Sequence, residues 1–347
     1  MQPEAVELVA LALAALVLVL AFAPVGASRR ALLAKGGAGV AGTAAVVAAP
    51  AFDIALLVML ALALLHAAIE GRRSFAARLR LPVLAVALLA LAAVFARVEG
   101  PDVLHRFAAV GFAAGLAAAL GLLPYIHTFE PEEQVTSSPV AWLGFVGPAV
   151  ATVVVADAQG LLTADAGAVF SAVLLGLGLL NMAWGSIATW LTENDAAAWR
   201  YSFIADWGLV LSGFGITLAD GQRASLIVLF AIVLGRLPLY ITSRNAVRDK
   251  VKTERPINLL VAAALAGSAP FAGFSARVLL LRGATQLYWP LALVLAAGML
   301  LWLPGSLRLG RSLGVPRGRQ AVAVAIVLAI SVAVGLYPLP LLTVARM

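Results

Sequence analysis

Asp206, Arg236, Arg277 and His127 are the side chains able to do chemistry in or beside strongly apolar sequence. A carboxylate among membrane residues can carry a proton or neutralise an arginine, and charges at such depth are rare enough to mark function by default. The plainer reading of Asp206, six residues into its expected span, is a helix-end charge facing a headgroup or a partner subunit. Arg236 precedes Pro238 in an apolar run, where a buried ion pair competes with snorkelling toward a basic loop. Arginine stays protonated in proteins, so for Arg277 a structural pair, with Asp206 or a carbonyl freed by a broken helix, is favoured over a proton relay. His127 borders an acidic loop, Thr128–Ser138, where a solvated imidazole competes with a place on a proton path. The other histidines, His66 and His105, are far from it in sequence, so neither a haem pair nor a zinc site is expected.

These residues need elements to hold them. Ile257–Leu281 reads INLLVAAALAGSAPFAGFSARVLLL, a hydrophobic stretch broken by Gly267, Pro270 and Gly273, with Arg277 just beyond. Proline removes a helix hydrogen bond and frees a carbonyl that lipid cannot satisfy, so the break must face protein or water. Hydrophobic residues make up 63% of the 347-residue chain and charged residues 12%, with a mean hydropathy of +1.02. One soluble core cannot hide that much apolar surface, so an all-α integral membrane protein in a lipid bilayer is expected. About twelve spans of bilayer length follow: Val6–Val25, Leu32–Ala49, Phe52–Ile69, Leu81–Ala96, Val103–Leu123, Val140–Ala156, Ala166–Leu191, Tyr201–Leu218, Ala224–Thr242, Ile257–Leu281, Tyr288–Leu303 and Ala321–Leu342. The second span carries Gly36, Gly37, Gly39 and Gly42, which permit close packing and weaken the helix. Seven tryptophans fall mostly near span ends, as a membrane belt would place them.

Basic clusters follow the first, third, ninth and eleventh spans: Arg29 to Lys35, Arg72 to Arg80, Arg244 to Arg255, and Arg308 to Arg319. All follow odd-numbered spans, so they share a face that the positive-inside rule makes cytoplasmic, with both termini outside. The acidic loop with Glu130, Glu132 and Glu133 falls on that same face, where carboxylates weigh little. The net charge of +7 is thereby an orientation signal, and no nucleic-acid partner is expected. The start, MQPEAVELV, is acidic where a cleavable signal would be basic. With no cysteine, the chain offers no disulfide, thiolate metal site or cysteine-held iron–sulfur cluster. No hydrophilic segment is long enough for a soluble catalytic domain, so no cofactor is expected in this chain.

Three stretches then read together: LLPYIHTFEPEEQVTSSPV at Leu122–Val140, LTENDAAAWRYSFIADWGLVLSG at Leu191–Gly213, and G-x-x-P-x-x-G-F-x-x-R from Gly267 to Arg277. As a set they resemble the antiporter-like membrane subunits of respiratory complex I (L, M and N types), the Mrp antiporters and the membrane-bound hydrogenases. The matches are Pro124, His127, Pro131, Pro139 and Val140 in the first motif; Asn194, Asp195, Tyr201, Ser202, Ile204 and Gly208 in the second; and Gly267, Pro270, Gly273 and Phe274 in the third. Residues 121–310 would be the antiporter-like core, 1–120 divergent membrane helices and 311–347 a terminal helix. The resemblance implies broken helices in inverted repeats, with interruptions near Pro148 and Pro270. In size the chain is nearest the N-type subunit.

The departures shape the expected function. The family's proton path is thought to use buried lysines with a glutamate partner, because burial and a neighbouring carboxylate move a lysine's pKa in opposite directions. Here the lysines are Lys35, Lys250 and Lys252, all in expected loops. Ala196 and Ala197 stand at the second motif's Lys-Arg, Arg277 at the third motif's lysine, and Asp206 at its histidine, while the lysine of the helix after the first motif falls near Val150. The resemblance therefore implies a membrane-arm subunit of a complex-I-like, proton-translocating assembly in a bacterial inner membrane. Redox chemistry would lie in other chains, and this one would be a degenerate half-channel or scaffold. The alternative is an independent secondary transporter, which the sequence supports less for want of a constellation of intramembrane carboxylates. A lipid-modifying enzyme is disfavoured because no catalytic cluster appears.

Overall fold

The computed structural model describes residues 29–70, 75–126 and 146–339. In chain order the helices are α1 (Arg29–Val47), α2 (Phe52–Glu70), α3 (Phe75–Arg97), α4 (Asp102–Leu120), α5 (Gly147–Leu161), α6 (Ala164–Leu191) and α7 (Asp195–Gly215). There follow α8 (Ala219–Phe230), a π-helical turn (Ala231–Arg236), α9 (Leu237–Arg248), α10 (Pro256–Ala266), α11 (Ala272–Leu287), α12 (Trp289–Ser312) and α13 (Arg319–Leu336). No strand occurs among the described residues. Six helical stretches among the described residues are long and apolar enough to cross a bilayer: α3, α4, α6, α12, α13 and the continuous run from α8 into α9. The remaining expected spans are shorter helices, a helix with charged ends, or the two half-helices α10 and α11; Val6–Val25, the first residues of Val140–Ala156 and the last of Ala321–Leu342 lie outside the described residues. This is an all-α integral membrane protein.

Of the span limits that differ from expectation, two have a plain local reason. The eighth begins at Asp195 because the Asn194 side chain accepts from the Ala196 N–H at 2.8 Å and caps the helix there. The eleventh runs through Pro304 to Ser312. That proline forfeits one backbone bond but does not end the helix, whose flanks pack on α10 and α6.

Small residues set the tightest contact. Helices α6 and α7 form an antiparallel hairpin across Gly178 and Gly185 on one side and Gly208 and Gly215 on the other. A Cβ on Gly185 would come 2.5 Å from the Ala205 backbone nitrogen, and one on Gly215 2.7 Å from that of Leu175. Without a hydrophobic drive between helices in lipid, such backbone approach is what binds them. Gly42 in α1 makes room for the Leu62 side chain of α2, whereas Gly37 has no described atom within 4 Å of where its Cβ would lie. The hairpin holds α7 in the interior, where 17 of its 21 residues, from Ala198 to Gly215, are buried. Against its far side lies α8.

The charged helix ends meet on one face. Asp195 at the start of α7 takes Arg308 at 2.8 Å and Lys252 at 3.7 Å, and Arg311 reaches Glu254 at 3.1 Å. The Thr253 N–H donates to the Arg311 carbonyl, and Asn258 Nδ2 donates to the carbonyls of Gly310 and Gly314. The basic clusters after the ninth and eleventh spans therefore do share a face. At the start of α8, Asp220 meets Arg282 at 3.1 Å and Arg223 at 3.6 Å.

Candidate functional site

The break between α10 and α11 is closed by backbone chemistry that the sequence anticipates. Gly267 ends α10 in the left-handed conformation, φ +66°, its N–H bonded to the Ala264 carbonyl while the Ser268 N–H reaches Ala263. A β-carbon at Gly267 would lie 2.7 Å from Cζ of Arg277, so the glycine supplies both the turn and the space in which the guanidinium lies. A β-carbon at Gly273 would lie 2.8 Å from Cα of Gly267, which brings the two half-helix ends together. Pro270 lies in the connection, where no helical donor is required.

Freed backbone groups find partners on neighbouring helices. The Trp302 indole N–H of α12 donates to the Leu265 carbonyl at 2.7 Å. From α13, Ser331 Oγ accepts from the Ala272 N–H at 3.3 Å, and the Gly335 carbonyl accepts from Ser275 Oγ at 2.8 Å. Gly335 itself lies against the Pro270 carbonyl, closer than any side chain would permit. Satisfying each freed group inside protein is the condition for irregular backbone at membrane depth.

Three charges converge on this break. Asp206 is 8% exposed and Arg236 4%. Arg236 donates to Asp206 through Nε and through Nη2, the latter at 2.8 Å, a two-pronged pair joining α7 to the end of the π-helical turn. The guanidinium also lies 4.9 Å from the Trp302 ring centre. Pro238 explains the π-helical turn: it has no N–H for the Leu234 carbonyl and its ring crowds it, and widening the helix by one residue relieves both. Asp206 stands eleven residues beyond Asp195, about 16 Å along the helix from the charged face and so near the middle of a bilayer. It is not the helix-end charge of the plainer reading.

Arg277 comes from the second turn of α11. Among the described residues it makes no hydrogen bond or ion pair, although Asp206 and Arg236 act on it through their charge. The expected Asp206–Arg277 pair is thus corrected: Arg236 takes the carboxylate, because α8 packs against α7 and the π-helical turn faces Asp206. The three charges border a cavity of about 60 Å³ that Leu209, Leu265, Val327 and Ser331 also line. At ~10–15 Å³ per water-sized sphere, it has room for roughly four waters. Two guanidinium groups against one carboxylate leave one positive charge uncompensated there.

The first break is different in kind. Pro148 stands in the first turn of α5, and the residues before Val146 that would show the expected interruption lie outside the described ones; Gly147 lets the Trp207 ring approach, since a β-carbon there would lie 2.9 Å from Trp207 Cζ2. Val150 is 2% exposed, and the small cavity beside it, about 20 Å³, is lined wholly by apolar residues and glycine. His127, Pro131, Pro139 and Trp142 lie outside the described residues.

The tryptophan belt needs correction too. Trp199, Trp207 and Trp302 are buried, and Trp199 donates to Ser312 Oγ at 3.0 Å; Trp184, Trp190 and Trp289 are exposed as a belt requires. Sequence reading missed Trp302, Ser331 and the π-helical turn. Only the turn had a visible signal, a proline two residues after an intramembrane arginine.

No family model and no curated protein matches the chain by sequence. By structure it is similar to a chain of the Mrp complex from Dietzia sp. DQ12-45-1b, at 14% identity and TM-score 0.79, covering 99% of this chain and 44% of that one. It is similar to a chain of respiratory complex I from Thermus thermophilus, at 18% identity and TM-score 0.71, covering 98% and 85%. A chain of the membrane-bound sulfane sulfur reductase, an archaeal respiratory membrane complex, gives 15% identity and TM-score 0.73 over 95% and 64%. The chain spans less than half of the Mrp chain and about two thirds of the reductase chain. Its fold is that of the antiporter-like membrane subunits.

Proposed function

We propose that the chain is a membrane-arm subunit of a complex-I-like, proton-translocating assembly, and that within it the chain acts as a scaffold, a degenerate half-channel without its own lysine relay. The observation that carries this reading is the pair of breaks in an antiporter-like fold: one dry and apolar around Val150, the other holding two arginines and an aspartate bound to one of them. A relay needs a group whose proton affinity can be moved to near neutrality, and a guanidinium is not such a group. Asp206, held by two donors from Arg236, is a fixed counter-charge.

Redox chemistry and its cofactors belong in this reading to partner chains, and other membrane subunits cover part of the exposed apolar surface. The basic face at Lys252, Arg308 and Arg311 lies on the cytoplasmic side of a bacterial plasma membrane, with both termini outside. Purifying the full-length chain in mild detergent and identifying its companions tests the assignment. Hydrophilic iron–sulfur or flavin subunits in stoichiometric amounts are expected. A chain that comes out alone or as a homo-oligomer, and that exchanges ions in liposomes by itself, would overturn it in favour of an independent transporter.

A further inference from the structure

Arg277 has the geometry of a cation waiting for a ligand. Among the described residues Asp206 is the one acidic side chain lining the cavity, and both of its oxygens are engaged by Arg236. Arg236, 4% exposed and lining the same space, keeps its Nη1 without a hydrogen-bond partner. The first turn of the sixteen-residue α11 borders the cavity at Ala272 and Gly273. A helix N-terminus adds fractional positive charge to a space that already holds a net +1. In a low-dielectric interior an uncompensated charge is costly, and a bound counter-ion removes that cost without moving a helix.

Size selects the ligand. About 60 Å³ holds a few water-sized spheres, far below the ~300–1,000 Å³ of sites for organic ligands. Lipid headgroups and nucleotides do not fit; a halide with one or two waters does. The charged side chains that line it are two guanidinium groups and one carboxylate already engaged by Arg236, a balance that favours an anion over a metal cation.

We propose that the cavity at the α10–α11 break binds a small monovalent anion of the halide class, chloride in the cell, held by Arg277 with support from Arg236 and the α11 N-terminus. The anion completes the charge balance of the break, and the proposal stands whether or not the parent assembly moves protons.

The test is a chloride titration of the purified full-length chain in detergent, at constant ionic strength with gluconate as the replacement ion, read as thermal unfolding. A saturable rise of about 2–4 °C is expected for wild type, as for a ligand binding only the folded state. Arg282→Gln, which alters a cation paired with Asp220 elsewhere, should keep the rise. Arg277→Lys should keep it at higher chloride, and Arg277→Gln should lose it. No saturable rise in wild type, or an unchanged one in Arg277→Gln, overturns the proposal. Should Arg277→Gln fail to fold, anomalous diffraction from bromide-soaked wild-type crystals decides. A peak within hydrogen-bonding reach of Arg277 supports the site, and an empty cavity at saturating bromide overturns it.

Discussion

At the first break, Val150 is packed among Met59, Pro82, Ala85, Val86 and Leu120 around about 20 Å³ of space; at the second, Asp206, Arg236 and Arg277 surround about 60 Å³. Both use glycine and proline to interrupt or open a helix, and both lie against neighbouring helices. What differs is the supply of counter-charge. A buried ion persists only when its partner and its hydrogen bonds come with it. Helix α7 and the π-helical turn bring an aspartate and an arginine to the second break, whereas the first break's described surroundings bring no charge. The backbone device is thus separable from the titratable chemistry it can house.

The comparison is broken most severely by charging the dry side. Val150→Lys should destabilise by several kcal/mol, because a lysine there has no counter-ion to offset its desolvation, and membrane-inserted yield and unfolding temperature should both collapse. Arg277→Lys, a similar cation in the charged cavity, should remain near wild type in the same measurements. Next in size is Asp206→Ala, which leaves two guanidinium groups unpaired and should cost about 3–5 kcal/mol. Combining Asp206→Asn with Arg236→Gln should recover part of that loss, a non-additivity readable in a double-mutant cycle. Trp302→Phe removes the indole donor to the Leu265 carbonyl and weakens the contact with Arg236, so a loss of about 1–2 kcal/mol is expected in thermal unfolding. Smallest is Arg308→Gln at the charged face. Asp195 keeps Lys252, and a loss of about 0.5–1 kcal/mol should shrink further in high salt.

Much of this was legible in the sequence. Glycine and proline spacing located the α10–α11 break and assigned Gly267 and Gly273 to it, because only those residue types permit that backbone. Asp206, Arg236 and Arg277 stood out because charges in apolar runs are rare. Their pairing was not legible, since it depends on which side of each helix faces which neighbour, and the π-helical turn before Pro238 rotates Arg236 in a way that regular periodicity does not describe. The tryptophans misled for a related reason. Position along a span says how deep a ring lies, but whether Trp302 faces lipid or a freed carbonyl depends on azimuth. Ser331 and Gly335 gave no signal, being small residues in an ordinary apolar helix that acquire meaning only when α13 lies across the break.

Under the proposed function the charges at the second break hold structure and do not relay protons. The direct measurement is proton translocation by the assembled complex in liposomes carrying Arg277→Gln in this chain, with assembly verified on the same sample. Coupling equal to wild type is predicted; loss of translocation in a fully assembled complex would contradict the claim and make Arg277 part of the proton path.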